Sequence, residues 1–163
     1  NGYAVAAFGG RAEVMDCVGA FKGGVVHGGT YTGNLIGLSA AHATLDILQH
    51  TNAPETINAA GERIMHVLAA VFARFGVPCT FAGPPAMFGV HFSDSVPTNY
   101  RDWRVTDSRL YQRFAFGLID RGVMLEPDSR EPWFICEAHQ TLDLTWLEEV
   151  ASQALEAALA TTD

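Results

Sequence analysis

The sequence predicts a mixed α/β chain in which an apolar strand and a glycine loop leading into a helix precede a compact two-layer α+β unit. Three observations carry this. Tyr3 to Phe8 is a short apolar run closed by Gly9-Gly10, as expected of a strand buried on both faces. Val25 to Asn34, rich in glycine and threonine, runs directly into an amphipathic stretch, Leu35 to Leu48. From residue 79 onward the pattern alternates strand, strand, helix, strand, strand, helix.

Taken in order, Arg11 to Val18 reads as one or two helical turns with Val14, Met15 and Val18 facing inward, and Gly23-Gly24 opens the loop. The helix after it places Leu38, Ala41, Leu45 and Leu48 on one face, a core stripe, with small residues crowding its start. Thr51 to Glu55 is a break and a new start: Asn52 caps, Pro54 is tolerated in the first turn, and Glu55 lies three residues after the cap. Ile57, Ile64, Leu68, Val71, Phe72 and Phe75 then mark the buried face of a long helix that stops at Gly76, before Pro78.

The α+β unit begins with Thr80-Phe81, Gly83-Pro84-Pro85 and a strand from Met87 to Phe92. In that strand Met87, Gly89, His91 and Ser93 point one way and Phe88, Val90 and Phe92 the other. Ser95 to Val105 is a polar and aromatic loop. A helix from Asp107 or Ser108 to Arg121 buries Leu110, Phe114, Leu118 and Ile119, and Gly122 closes it. Val123-Met124-Leu125 and Trp133 to Cys136 read as short strands. The last helix opens on a capping box, Thr145-x-x-Glu148, and buries Leu147, Val150, Ala154, Leu155 and Ala158.

At 48% hydrophobic and 17% charged residues, the chain has the composition of a globular protein. Ten Lys and Arg face eighteen Asp and Glu, with no basic cluster, so a nucleic-acid partner is not expected. No apolar run approaches the length of a membrane helix, so no membrane partner is expected either. Cys17, Cys79 and Cys136 form neither a disulfide framework nor a zinc pattern, which fits buried thiols in a reducing, cytoplasmic setting. The six histidines show no metal-ligand spacing, and no metal site is expected. The opening Asn1-Gly2-Tyr3, already inside a turn and strand, suggests a piece of a longer protein.

The glycine loop carries the clearest chemistry. Where a loop becomes a helix, backbone N–H groups are free, glycine lets an anion come close, and threonine hydroxyls add donors, a set suited to phosphate. The stretch lacks the Gly-Lys-Ser/Thr ending of a P-loop and does not fit the dinucleotide fingerprint. A plain turn is the alternative reading.

Asn1 to Arg11, Gly28-Gly29-Thr30-Tyr31-Thr32-Gly33-Asn34, Gly122-Val123 with Pro127, Trp133-Phe134 and Ala138-His139-Gln140-Thr141 together resemble the C-terminal part of class III pyridoxal-phosphate-dependent aminotransferases, near the glutamate-1-semialdehyde aminomutase branch. The resemblance covers essentially the whole chain. It implies an α/β fold type I fragment: residues 1–50 the C-terminal end of the large parallel-sheet, cofactor-binding domain, 51–78 a connecting helix, and 79–163 a small α+β domain. It also implies pyridoxal 5'-phosphate as cofactor and a homodimer formed through the Gly-Thr loop. Thr30 and the Gly29 N–H would then hold the cofactor phosphate of the neighbouring subunit. Tyr31 and Asn34 would flank that site, and His139 would play a structural part.

The same resemblance sets Glu131 near the amino group of the substrate. Arg130 stands where the aminomutases tend to have an apolar residue, and it offers a contact for a substrate carboxylate. The lysine that forms the Schiff base would lie a few residues upstream of Asn1; the only lysine, Lys22, does not align with it. The fragment alone is therefore expected to have no catalytic residue and no activity. The parent would be a transaminase moving an amino group between an amino donor and a keto or aldehyde acceptor. A glutamate-1-semialdehyde 2,1-aminomutase and a non-catalytic dimerisation domain are the alternatives.

Overall fold

A computed structural model describes residues 2–18 and 24–161. The chain divides into two units, residues 1–51 and 52–163.

In the first unit, the apolar segment from residue 3 to 10 forms no regular element and pairs with no strand among the described residues. A sheet buried on both faces needs neighbours on either side, and none is present here, so Tyr3, Val5 and Phe8 are more than half exposed. The expected turns after Arg11 are a single one, α1 (Ala12–Met15), with Val14 exposed rather than inward. Val18 and Val25 form an isolated parallel bridge. The expected Lys22 and Gly23 positions lie outside the described residues.

Helix α2 (Leu35–His50) starts where the loop pattern indicates. Asn34 is its cap: Oδ1 accepts from the N–H groups of Ile36 at 3.0 Å and Gly37 at 3.1 Å. Gly37 is the one buried residue of α2, because a Cβ there would lie 2.8 Å from the Ala4 carbonyl oxygen. The expected core stripe is exposed instead. Leu38, Leu45 and Leu48 face solvent, since no described element of this unit covers them.

The second unit holds the hydrophobic core. Helix α3 (Ala53–Arg74) buries Ile64, Leu68, Val71 and Phe72, while Ile57 and Phe75 are half-buried. Asn52 occupies the cap position without a side-chain cap bond. Gly76, with φ of +68°, turns the chain out of the helix, and the Val77 N–H closes back on the Phe72 carbonyl at 3.0 Å.

Strands β1 (Thr80–Ala82), β2 (Met87–His91) and β3 (Trp133–Phe134) form an antiparallel sheet in that order. Thr80 faces His91 across β1 and β2, and Phe88 faces Trp133 across β2 and β3. Phe88 and Val90 enter the core with Phe92, as the alternation requires. There Phe72 meets Phe92 and Phe114 edge-on at ring separations of 5.0 and 5.3 Å.

A short helix, α4 (Tyr100–Trp103), interrupts the expected loop, capped by Asn99. Helix α5 (Ser108–Ile119) begins on Asp107, whose Oδ1 accepts the Leu110 N–H at 2.9 Å. It buries Leu110, Phe114 and Leu118 as expected and also Tyr111 and Ala115, whereas Ile119 is 38% exposed. Val123 to Leu125 is not a strand. Of Trp133–Cys136 only the first two residues pair, and Cys136 instead opens a 3-10 helix (Glu137–Thr141).

Helix α6 (Leu144–Ala160) starts earlier than the expected capping box. Asp143 accepts the Thr145 and Trp146 N–H groups at 2.9 and 3.2 Å. A carboxylate in that position outcompetes a threonine hydroxyl. Glu148, released from capping, pairs with Arg74 of α3 at 2.9 Å. Helices α3, α5 and α6 thus pack on one face of the sheet, giving the two-layer unit.

Candidate functional site

Two places hold the residues of interest, one in each unit. The first is the loop from Gly28 to Asn34. It is a tight double turn: the Thr32 N–H donates to the Gly29 carbonyl and the Asn34 N–H to the Tyr31 carbonyl, both at 3.1 Å. Gly33, with φ of +75°, makes the second turn possible. These bonds use the Thr32 and Asn34 N–H groups and leave the donors before them free. Among the described residues, neither the N–H groups of Gly28, Gly29 and Thr30 nor the Thr30 hydroxyl has a protein partner.

The helix start contributes less than its position suggests, because Asn34 already takes the Ile36 and Gly37 donors. The anion-binding capacity therefore resides in Gly28 to Thr30. A Cβ on Gly28 would meet nothing within 4 Å, and one on Gly29 only the Thr32 hydroxyl at 3.4 Å. The chain's own packing thus does not require glycine here. What glycine supplies is a bare backbone surface beside the exposed Thr30 hydroxyl. That donor set, three amides and a hydroxyl with no opposing carboxylate in the loop, fits a phosphate group.

The second place is a cleft of about 710 Å³ in the other unit. Residues 122–126, Asp128, Glu131, Pro132 and β3 line it together with His139, Leu142 and Trp146. Three carboxylates line it, Glu126, Asp128 and Glu131. Arg130 is not among the lining residues.

The turn carrying Arg130 and Glu131 is tightly built. Glu131 N–H donates to the Asp128 carbonyl at 3.0 Å, and Arg130 N–H donates to Asp128 Oδ1 at 3.0 Å. Arg130 Nε lies 3.0 and 2.9 Å from the two Asp128 oxygens, and a terminal nitrogen of the guanidinium pairs with Oδ2 as well. Those hydrogen bonds hold the Asp128 carboxyl below the ordinary carboxylate range. The guanidinium also lies over the Trp103 ring, 5.2 Å from its centroid. Trp103 in turn donates from Nε1 to the buried Ser129 hydroxyl at 2.8 Å.

Behind the cleft, Trp133 donates its indole N–H to the Tyr111 hydroxyl at 3.0 Å, and that hydroxyl donates to the Glu126 carbonyl at 3.3 Å. Burial raises the affinity of the Tyr111 phenol for its proton, partly opposed by the Trp133 bond. This buried network fixes residue 126 and β3 against α5.

The structure therefore sets Gly29 and Thr30 side by side with free donors, and Arg130 and Glu131 side by side with opposite fates. Glu131 faces the cleft, and Arg130 is held by Asp128 and Trp103. Sequence reasoning missed Asp128 and Trp103. The spacing Asp128-x-Arg130 carried a signal for the first, since an Asx turn brings residues two apart together. Nothing in the local sequence pointed to Trp103, which is distant in the chain.

Among the described residues no group of His, Cys, Asp and Glu is arranged to hold a metal ion, and no helix is long and apolar enough to cross a membrane.

Comparison with known proteins adds the family. The family model described as aminotransferase class-III matches residues 1–145. Glutamate-1-semialdehyde 2,1-aminomutase from Neisseria gonorrhoeae is 35% identical over 156 residues, covering 96% of this chain and 35% of its own. The enzyme of the same name from Laribacter hongkongensis is 31% identical, covering 94% and 36%. The chain thus spans about a third of the length of the curated relatives it matches.

Among solved structures, the FumI protein of Sphingopyxis sp. MTA144, in a PLP internal aldimine form, is 26% identical with a TM-score of 0.66. It covers 83% of this chain and 30% of that one. An omega-transaminase from Sphaerobacter thermophilus has a TM-score of 0.70 at 22% identity, covering 93% and 35%. The second of these shows the fold alone. With a family model spanning residues 1–145, this chain belongs to the class III aminotransferases.

Proposed function

We propose that the chain is the C-terminal portion of a pyridoxal-phosphate-dependent transaminase that moves an amino group between a small amino donor and a keto or aldehyde acceptor. The observation that carries this reading is the open donor set of Gly28, Gly29 and Thr30, in a chain of this family. When bound, pyridoxal phosphate acts as an electron sink that lets the amino group change carbon partner.

The chain's own residues bind and orient. Gly29 N–H and the Thr30 N–H and hydroxyl take the phosphate oxygens, and the bare glycine backbone allows the close approach. In the full assembly this loop serves a second copy of the chain, so the site is completed across a homodimer. The exposed apolar residues beside it, Val25, Val26, Tyr31 and Leu35, support a covered position for the loop in that dimer. The lysine that joins the cofactor belongs to the part of the parent preceding Asn1.

Glu131, facing the cleft with Glu126 while the Asp128 carboxylate is paired with Arg130, sets a negative field suited to a substrate ammonium group. Arg130 reaches a substrate carboxylate only by leaving Asp128, so acidic substrates compete with an internal carboxylate. The cytoplasm is the compartment that fits the three free thiols.

The second reading is glutamate-1-semialdehyde 2,1-aminomutase activity, favoured by curated relatives of that name at 31 to 35% identity. One experiment separates the two. The full-length protein, loaded with pyridoxal phosphate, is assayed with amino donors in the presence and absence of an external keto acid. Turnover that needs the keto acid supports the transaminase, isomerisation of glutamate-1-semialdehyde without it supports the aminomutase, and neither activity removes both.

A further inference from the structure

Glu126, Asp128 and Glu131 line the cleft, and no lysine or arginine stands among its lining residues. Arg130 adjoins Glu131, which faces the cleft, yet two elements hold its guanidinium elsewhere. The first is the turn itself. Asp128 accepts both the Arg130 main-chain N–H and the guanidinium, so backbone and side chain are tied to one carboxylate.

The second is α4. Asp102 accepts from the Thr98 N–H at 3.0 Å, the Thr98 hydroxyl at 2.7 Å and the Asn99 amide at 2.8 Å, which fixes the start of this short helix. Trp103 stacks on Tyr100 at a ring separation of 5.3 Å, and its indole N–H ends on the buried Ser129 hydroxyl. The ring beside the guanidinium is therefore anchored to the residue between Asp128 and Arg130. Side chain and shelf move together or not at all.

Charge decides the consequence. With Arg130 held, a second carboxylate entering the cleft meets Glu126 and Glu131 and no lysine or arginine. Drawing Arg130 inward leaves the Asp128 carboxylate unpaired on the cleft wall, a third like charge beside the other two. Either route penalises the same ligand. A ligand with an apolar far end meets Ile64, Trp133, Leu142 and Trp146 instead and leaves the pair intact.

We propose that Asp128 and Trp103 are positioning residues that withhold Arg130 from the cleft, so that the site selects substrates with an apolar body over substrates bearing a second carboxylate. This selectivity rests on the cleft being the place of the substrate, as proposed above.

The test uses the full-length protein loaded with pyridoxal phosphate and two keto acids of equal chain length, 2-oxopentanoate and 2-oxoglutarate, which differ in the second carboxylate. Binding is read by calorimetry, with no amino donor present, and turnover is read separately with a donor. The wild-type protein binds 2-oxopentanoate about fivefold or more tighter than 2-oxoglutarate. Asp128→Asn keeps an acceptor for the turn and removes the charge. It tightens 2-oxoglutarate about tenfold, leaves 2-oxopentanoate within about twofold, and in turnover shifts KM for 2-oxoglutarate rather than kcat. Asp128→Ser is the second variant, with the same expectation. Adding Arg130→Gln to either abolishes the gain, because the gain runs through the released guanidinium. Unchanged discrimination in the folded variants overturns the proposal, as does a gain shared equally by both keto acids or one that survives Arg130→Gln. Discrimination that shifts as expected without any amino transfer rejects the transaminase reading alone, and amino transfer with unshifted discrimination rejects only the role of Asp128 and Trp103.

Discussion

His91 is a buried imidazole on the sheet face opposite Phe88 and Val90, and its Nδ1 has no hydrogen-bond partner among the described residues. Burial lowers its affinity for a proton below the ordinary histidine value. The unfolded chain then binds the proton at a higher pH than the folded one. Stability is fully present above the unfolded value of about 6.5 and is lost as pH falls through it. Urea denaturation between pH 7.5 and 5 is expected to show this loss, and His91→Gln is expected to flatten it. A wild-type curve that is flat over this range would show that the ring finds a partner in solution. The face that His91 occupies was legible from the alternation of β2. Its unsatisfied nitrogen was not, because that depends on what lies across the sheet. The Arg130–Asp128 pair is similar: both residues were in plain view, but only the turn that joins them decides which carboxylate the guanidinium binds.

At the scale of elements, Gly61 of α3 sets how closely the helix approaches the β1–β2 turn. A Cβ at this position would lie 1.9 Å from the Pro85 carbonyl oxygen, a main-chain atom that cannot turn aside. Asn58, one turn earlier, accepts the Ala86 N–H at 3.3 Å, so the helix is fastened to the same turn. Gly61→Ala gains about 1 kcal/mol of helix propensity and costs about 3 kcal/mol in overpacking. The clash wins, and a net loss of about 2 kcal/mol is expected from chemical denaturation. An unchanged or raised midpoint would show that the turn yields freely. Periodicity made α3, α5 and α6 legible, since each buries a stripe at helical spacing. Their starts were less so: the α6 cap is Asp143, not Thr145, because an aspartate two residues upstream takes the Thr145 and Trp146 amides with a full charge and so starts the helix earlier. Val123 to Leu125 had the composition of a strand but found no neighbour to pair with.

For the whole molecule, the contrast between the units governs behaviour. Residues 52–163 contain the buried core, whereas residues 1–51 expose Tyr3, Val5, Phe8, Val25, Val26, Leu35 and Ile36. Amide exchange of this chain alone is expected to show protection in α3, α5 and α6 and rapid exchange in residues 2–18. Equal protection in both would mean that the first unit builds a core of its own. The sequence pattern announced the apolar character of the first unit, and its exposure follows from the lack of neighbouring strands among the described residues.

The central claim concerns the loop from Gly28 to Asn34, and one measurement addresses it directly. In the full-length protein, Thr30→Ala removes the exposed hydroxyl proposed to bind the phosphate while leaving the Gly29 turn and the Asn34 cap in place. A hydrogen bond to a charged group contributes about 1.5–3 kcal/mol, so pyridoxal phosphate affinity, read from the titrated cofactor absorbance, should fall about tenfold or more. Binding of pyridoxal phosphate unchanged by the substitution would contradict the assignment of this loop to the cofactor phosphate.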